Sequence, residues 1–264
     1  MKILVAVKRV AALEEDFEIA ADGRDVDPDF VNWDLNEWDD YSLETAVQIK
    51  EAAGDGVEVI AVTVGPDDAD EVLRKCLAKG ADRALRVWDD ALEGSDPIAI
   101  ARVLAAVAAK EQPELVLAGT QSSDHGHAST GIALAALLDR PHAAVVAALE
   151  CKAGALQALA QRELEGGLLQ SIEVPLPAVL TIQLGINTPR YASLRGIKQA
   201  ASRPIETATP AELGLADAQI GAAGSLSRVR RMYVPEKGRA QMIEGSAAEQ
   251  AARLIQIIKE ATGA

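Results

Sequence analysis

Three short runs of Val, Ile, Leu and Ala, at residues 3–7, 57–64 and 115–118, carry no alternation of polar and apolar positions. A strand that is apolar at every position is covered on both faces, which is the mark of a parallel sheet. Between the runs the period becomes helical. Leu43, Ala46 and Val47 share one stripe, as do Val72, Leu73 and Leu77, and Ile100, Val103, Leu104 and Val107 follow suit. Strand, helix, strand, helix predicts right-handed crossovers and a doubly wound, mostly parallel α/β sheet, whose ligand site lies outside the carboxyl ends of the strands.

The pattern changes after residue 140. Residues 143–151, 155–163, 168–174 and 178–184 read as strands, broken at Gly154, at Gly166 and Gly167, and at Pro175 and Pro177. They either extend the sheet or form a small antiparallel piece. From Pro204 onward strand character is lost, and residues 206–237 mix Ala, Gly, Pro and charge. A last amphipathic stripe, with Ala248, Ala251, Ala252, Ile255 and Ile258, predicts a helix that needs a surface to cover. The organisation expected is a core over 1–190, a loop over 191–203 and a C-terminal arm with a helix over 204–264.

Hydrophobic residues make up 49% of the 264, enough to build a core. The net charge of -14 argues against a nucleic-acid surface, which needs a dense Lys/Arg face. Basic residues gather only locally, at Arg190, Arg195, Lys198 and Arg203 and at Arg228, Arg230 and Arg231, where they could meet an acidic partner. Cys76 and Cys151 belong to no C-x-x-C pair, so both read as small buried hydrophobes and any redox chemistry must come from a bound cofactor. The apolar runs fall short of the ~20 residues of a membrane span. With a strand starting at residue 2 and no secretory pattern, a soluble cytoplasmic protein is expected.

The strand ends deliver residues 6–8, 64–66 and 119–121 to one predicted crevice. The third is followed by Ser122-Ser123-Asp124-His125-Gly126-His127-Ala128-Ser129-Thr130-Gly131, a small polar loop opening a helix near residue 128. Backbone amides and hydroxyls there would cradle an anion as helix N-termini do, or simply cap the helix. His125 and His127 have no third ligand at a familiar spacing, so metal is not expected. Ser122, Asp124 and His125 could be imagined as a hydrolytic set, but no G-x-S-x-G elbow accompanies them. Phe30, Trp33, Trp38 and Tyr41 crowd together although aromatics are only 3% of the chain; they read either as a platform for a planar cofactor or as a hydrophobic staple. Tyr191 and Leu194 between Arg190 and Arg195 have the form of an apolar anchor rimmed by charge.

Several of these segments resemble one family. Val5-Ala6-Val7-Lys8-Arg9-Val10, Asn36 within Asn32-Trp33-Asp34-Leu35-Asn36-Glu37-Trp38-Asp39, Val64-Gly65-Pro66, Gly80-Ala81-Asp82-Arg83, the loop and helix of 124–138 and above all Pro189-Arg190-Tyr191-Ala192-Ser193-Leu194 are similar to electron transfer flavoprotein beta subunits. The resemblance reaches to about residue 205, with a looser match at Pro204-Ile205-Glu206. It implies a Rossmann-like, adenine-nucleotide-binding core and a carrier rather than an enzyme. This subunit would bury a structural AMP, while an electron transfer flavoprotein alpha subunit holds most of one FAD.

Carried over by position, the resemblance implies AMP contacts at Ala6, at Asn36, Glu37, Trp38 and Asp39, at Val64, and along Asp124, His125, Gly126, His127, Ala128, Ser129, Thr130, Gly131, Ile132, Ala133, Leu134 and Ala135. Near the flavin it places Leu13 and Trp38, where better-known relatives carry Tyr and Phe. Tyr191, Leu194 and Arg195 would dock a dehydrogenase, with Leu194 as anchor. Gln199-Ala200-Ala201-Ser202 stands where relatives are Lys-rich, which points away from acyl-CoA dehydrogenases and toward trimethylamine dehydrogenase as donor. The arm over 204–264 would pack on the alpha subunit. Two alternatives stay open: a bifurcating-type subunit with FAD in place of AMP, and an AMP- or ATP-binding protein without redox role. The absence of a G-x-x-x-x-G-K-[ST] motif weighs against one common version of the latter.

Overall fold

The computed structural model describes residues 1–12, 17–235, 238, 240 and 242–263. In chain order its elements are β1 (Lys2–Ala6), β2 (Arg9–Ala12), β3 (Asn32–Leu35), α1 (Glu37–Ala53), β4 (Glu58–Val64), α2 (Asp70–Lys79), β5 (Arg83–Val87), α3 (Pro97–Glu111) and β6 (Leu115–Gly119). They continue with α4 (Thr130–Leu137), β7 (His142–Glu150), β8 (Gln157–Glu163), β9 (Leu169–Pro175), β10 (Ala178–Ile182), α5 (Leu194–Ser202), β11 (Glu206–Ala208), α6 (Gly221–Gly224) and α7 (Ala247–Thr262).

Nine strands form one sheet in the order β11-β5-β4-β1-β6-β10-β7-β8-β9, parallel from β11 to β7 and closed by antiparallel β8 and β9. The second half of the chain therefore extends the sheet. Successive residues of each central strand enter opposite layers, as the two-residue period of a strand requires. Ile3 and Val5 pack with Leu43 and Val47 of α1 and Leu73 and Leu77 of α2, while Leu4 and Ala6 pack with Val103 and Leu104 of α3 and Leu134 of α4. Burial on both faces explains the unbroken apolar runs.

Five elements differ from the sequence expectations. β5 was not expected, because Arg83 and Arg86 interrupt its apolar run; Arg83 binds Glu111 and Glu206, and Arg86 binds Asp67 and Asp70. β2 and β3 pair as a separate antiparallel hairpin. Residues 191–203, expected as a loop, contain helix α5, because Ser193 Oγ caps it by accepting from Gly196 N at 3.0 Å. Strand character also persists past Pro204: β11 pairs with β5, and its three residues include one buried side chain, Ala208, too short a signal to read.

The segment that follows is fastened to the core as well. Asp96 caps α3 by accepting from Ile98 and Ala99, and its other oxygen accepts from Leu226 N, Ser227 N and Ser227 Oγ. Ile220 is fully buried in the α3 layer. The chain divides into one compact unit over Met1–Arg231 and a second over Met232–Ala264. The second holds α7, opened by a capping box of Ser246 and Glu249 and carrying half-exposed Leu254, Ile255 and Ile258. No helix among the described residues is long and apolar enough to cross a membrane.

Candidate functional site

The sheet reverses its winding between β1 and β6: β4 and β5 extend from one side of β1, and β6 and β10 continue from the other. Such a switch point leaves a crevice at the carboxyl ends, where neighbouring crossovers run to opposite faces. Ala6 ends β1, Val64 ends β4 and Gly119 ends β6, so the three predicted segments do converge there.

The first turn of α1 braces this opening. Asp39 Oδ2 accepts from Lys8 N at 2.8 Å and Oδ1 from Gly119 N at 2.9 Å, joining the two strands at the switch point. Asn36 does the same for the loop beyond β6, with Nδ2 donating to Gln121 O at 2.9 Å and Oδ1 accepting from Ser123 N at 3.1 Å. Both side chains are buried, Asn36 at 1% and Asp39 at 5% exposure. Burial pushes the Asp39 carboxyl up to about 7, against the opposing effect of its amide donors and of Asn36. Gly119 must be glycine here, since a Cβ would stand 2.5 Å from Asp39 Oδ1 and 2.6 Å from Trp38 Cβ.

Lys8 follows β1 and crosses the crevice to the loop. Its Nζ donates to both carboxylate oxygens of Asp124 at 2.7 Å, and Asp124 Oδ1 also accepts from His125 N at 2.7 Å. Burial disfavours the ionised form of Asp124, but the His125 hydrogen bond and the Lys8 charge outweigh it and hold the carboxyl well below the usual range. The loop's acid is thus neutralised within the protein. His125 and His127 stack in parallel with centroids 5.8 Å apart. Asp124 Oδ2 also lies 3.3 Å from His125 Nδ1, but Ser122 Oγ accepts from Lys8 Nζ at 3.4 Å instead of facing the imidazole, so the hydrolytic arrangement is not assembled. Among the described residues no group of three metal-ligating side chains converges.

Beyond the loop, α4 starts at Thr130, two residues later than expected. Ser129 makes no side-chain cap, so the first-turn amides keep no hydroxyl partner from it. Gly126 and Ala128 both take positive φ, 61° and 50°, which curls the backbone ahead of the helix. Gly131 lies so close to β10 that a Cβ would stand 2.5 Å from Thr181 Cγ2.

The predicted residues therefore separate into groups. Ala6 and Val64 end β1 and β4, Asn36, Trp38 and Asp39 open α1 beside the ends of β1 and β6, the stretch 124–131 leads from the loop beyond β6 into α4, and Glu37 is exposed. Ile132 and Ala133 follow in α4, while Leu134 and Ala135 are buried against the sheet as core. Leu13 lies outside the described residues. Trp38 Nε1 donates to Gln183 Oε1 at 2.9 Å, a partner beyond β10 that the sequence alone did not suggest. Lys8 was also missed as a site residue, although a Lys directly beyond a strand's carboxyl end was a usable signal. The clustered aromatics do not make one platform: Trp33 lies under the Arg9 guanidinium at 4.2 Å, Tyr41 packs on the core and Phe30 is exposed. Tyr191, Leu194 and Arg195 stand apart, exposed at the start of α5, which packs on α2.

The electron transfer flavoprotein domain matches residues 26–213. Over all 264 residues, 100% of both chains, the sequence is 66% identical to the electron transfer flavoprotein subunit beta of Methylophilus methylotrophus. The chain belongs to the electron transfer flavoprotein beta-subunit family. Other beta subunits are more distant: that of Bacillus subtilis (strain 168) is 33% identical over 260 residues, 98% of each chain. The Homo sapiens subunit is 37% identical over 217 residues, 81% of this chain and 84% of its own. This is a family of electron carriers rather than enzymes, associated with flavin, and a beta subunit implies an alpha partner.

Proposed function

We propose that this chain is the AMP-holding half of a cytoplasmic, heterodimeric, FAD-containing electron carrier that takes electrons from a dehydrogenase and passes them toward the respiratory chain. The observation that carries the nucleotide assignment is the crevice at the switch point, roofed by a loop whose backbone curls toward a helix N-terminus free of a side-chain cap. These residues fit a phosphate: the one acid in the loop is already paired with Lys8, and the amides of Thr130, Gly131 and Ile132 begin the helix. Ala6, Val64 and residues 124–131 would hold the nucleotide, with Asn36 and Asp39 fixing the backbone around it.

The FAD, held mostly by the alpha subunit, supplies the one- and two-electron chemistry when bound. The contribution of this chain is to bind, orient and exclude water, with Trp38 and, on the resemblance alone, Leu13 as its flavin-side residues. Tyr191, Leu194 and Arg195 dock the donor, trimethylamine dehydrogenase in preference to acyl-CoA dehydrogenases. Extraction of the heterodimer purified with its alpha subunit tests the assignment. One FAD and one AMP per heterodimer are expected, and two FAD with no AMP would replace it by the bifurcating type.

A further inference from the structure

We propose that Arg190 is the positioning residue of the docking surface: it clamps residues 187–193 onto α1 so that Tyr191 and Leu194 point outward, and does not itself meet the partner. The proposal rests on the docking role given above to Tyr191, Leu194 and Arg195, but its geometry does not.

Glu44 and Glu51 are seven residues apart on α1, on one face of the helix. Arg190 fills the space between them with both edges of its guanidinium. Nε donates to Glu44 Oε2 at 2.8 Å and Nη2 to Glu44 Oε1 at 3.1 Å, while Nη1 and Nη2 donate to Glu51 Oε1 and Oε2 at 2.5 and 2.9 Å. The main-chain amide of Arg190 adds a bond to Glu44 Oε2 at 3.2 Å. Glu44 is only 5% exposed, and a carboxylate so placed requires a fixed cation. Isolated exposed ion pairs are worth little, but a doubly bidentate fork on one buried and one exposed carboxylate fixes direction as well as charge.

A second pin lies three residues earlier, where Asn187 Nδ2 donates to Thr45 Oγ1 at 2.8 Å and Tyr41 O at 3.1 Å. The far end of the segment is fixed to α2 and its flank. Arg74 Nη1 donates to Ala200 O at 2.7 Å and also to Arg203 O, and Arg203 Nη1 donates to Ala81 O at 2.9 Å. Between these anchorages Tyr191 is 97% and Leu194 80% exposed, with Ile197 half-exposed one turn further on. The four cations of this stretch are thereby divided: Arg190 and Arg203 act within the chain, whereas Arg195 and Lys198 stay at the surface beside the apolar side chains. An anchor held in place before encounter loses less conformational freedom on docking.

The test uses the FAD-loaded heterodimer carrying Arg190→Gln, Arg190→Lys or, as control, Leu194→Ala. Hydrogen exchange of the amides over 187–203 should quicken in Arg190→Gln by about tenfold or more, with other regions unchanged. Reduction by trimethylamine dehydrogenase, or by an acyl-CoA dehydrogenase if that is the donor, should need about tenfold more dehydrogenase for half-saturation at an unchanged limiting rate. Arg190→Lys should rescue little, because an ammonium cannot reproduce the fork. Unchanged exchange in Arg190→Gln overturns the proposal. So does faster exchange with unchanged half-saturation while Leu194→Ala raises it, since the clamp is then structural only. If Leu194→Ala leaves half-saturation unchanged with both dehydrogenases, the docking role itself fails and the positioning role with it.

Discussion

Asp39 carries two opposed influences in one side chain. Its amide donors, Lys8 N and Gly119 N, favour the carboxylate, while complete burial favours the acid and raises the group to about 7. An unfolded Asp titrates near 3.9, so between about 4 and 7 the native state keeps a proton that the unfolded chain has released. Stability from that proton is full below pH 4 and lost as pH rises through 7. Asp39→Asn turns an amide donor toward one of the two N–H groups, at a cost of about 1–3 kcal/mol. Denaturant melts at pH 5 and pH 8 should show the wild type's margin over the variant shrinking as pH rises. A constant margin would mean that the amide donors prevail and Asp39 is ionised at pH 5. Leu194 makes the contrasting case. Because it is 80% exposed, Leu194→Ala should leave stability within about 0.5 kcal/mol while weakening docking about tenfold or more. A lowered melting temperature with an unchanged electron-transfer rate would contradict that.

At the scale of elements, α4 is where packing and binding meet. Gly131 allows the helix to close on Thr181 of β10, and the same closure sets where its first-turn amides and the loop before it lie. Gly131→Ala forces a methyl group against Thr181 and should cost about 1–3 kcal/mol by overpacking. It should also lower the AMP recovered per heterodimer, measured by extraction and chromatography, with FAD content less affected. AMP retained in full would separate the loop from nucleotide binding. The elements legible in the sequence were those whose periodicity had a single cause: β1, β4 and β6 are apolar on both faces, and α1, α2 and α3 carry one stripe. β5 was obscured because Arg83 and Arg86 find carboxylates across the fold, a nonlocal pairing that no local pattern carries. α5 was read as a loop because its apolar side chains face outward and its contact with α2 depends on Gly196 and Ala200, residues with little or no side chain. In the site, the loop of 122–131 was legible from its small polar residues and the strand before it, but the bracing by Asn36, Asp39 and Lys8 depends on the switch in strand order.

At the scale of the whole molecule, the question is where the core ends and the arm begins. Composition placed that boundary at Pro204, yet β11 completes the sheet edge at β5, Ile220 is buried under α3, and Asp96, the cap of α3, holds Leu226 and Ser227 through three donors. A cut after Arg203 would expose the edge of β5 and uncover that apolar layer, leaving a chain prone to aggregation whatever its role in assembly. The informative cut falls after Arg231, at the border of the two compact units. The 1–231 chain should keep its melting temperature within about 3 °C of the full chain, close to 1 kcal/mol for this size. If α7, with Leu254, Ile255 and Ile258 still half-exposed, packs on the alpha subunit, the shortened chain should fail to co-elute with it and carry no FAD, although it is folded. Size-exclusion chromatography with flavin absorbance, run beside a circular-dichroism melt, reads both quantities. A 1–231 chain that melts normally and still co-elutes with full flavin would remove the arm from the heterodimer contact and leave that role to unit 1, whose surface carries the exposed leucines Leu156, Leu168 and Leu169 around the β8 and β9 hairpin.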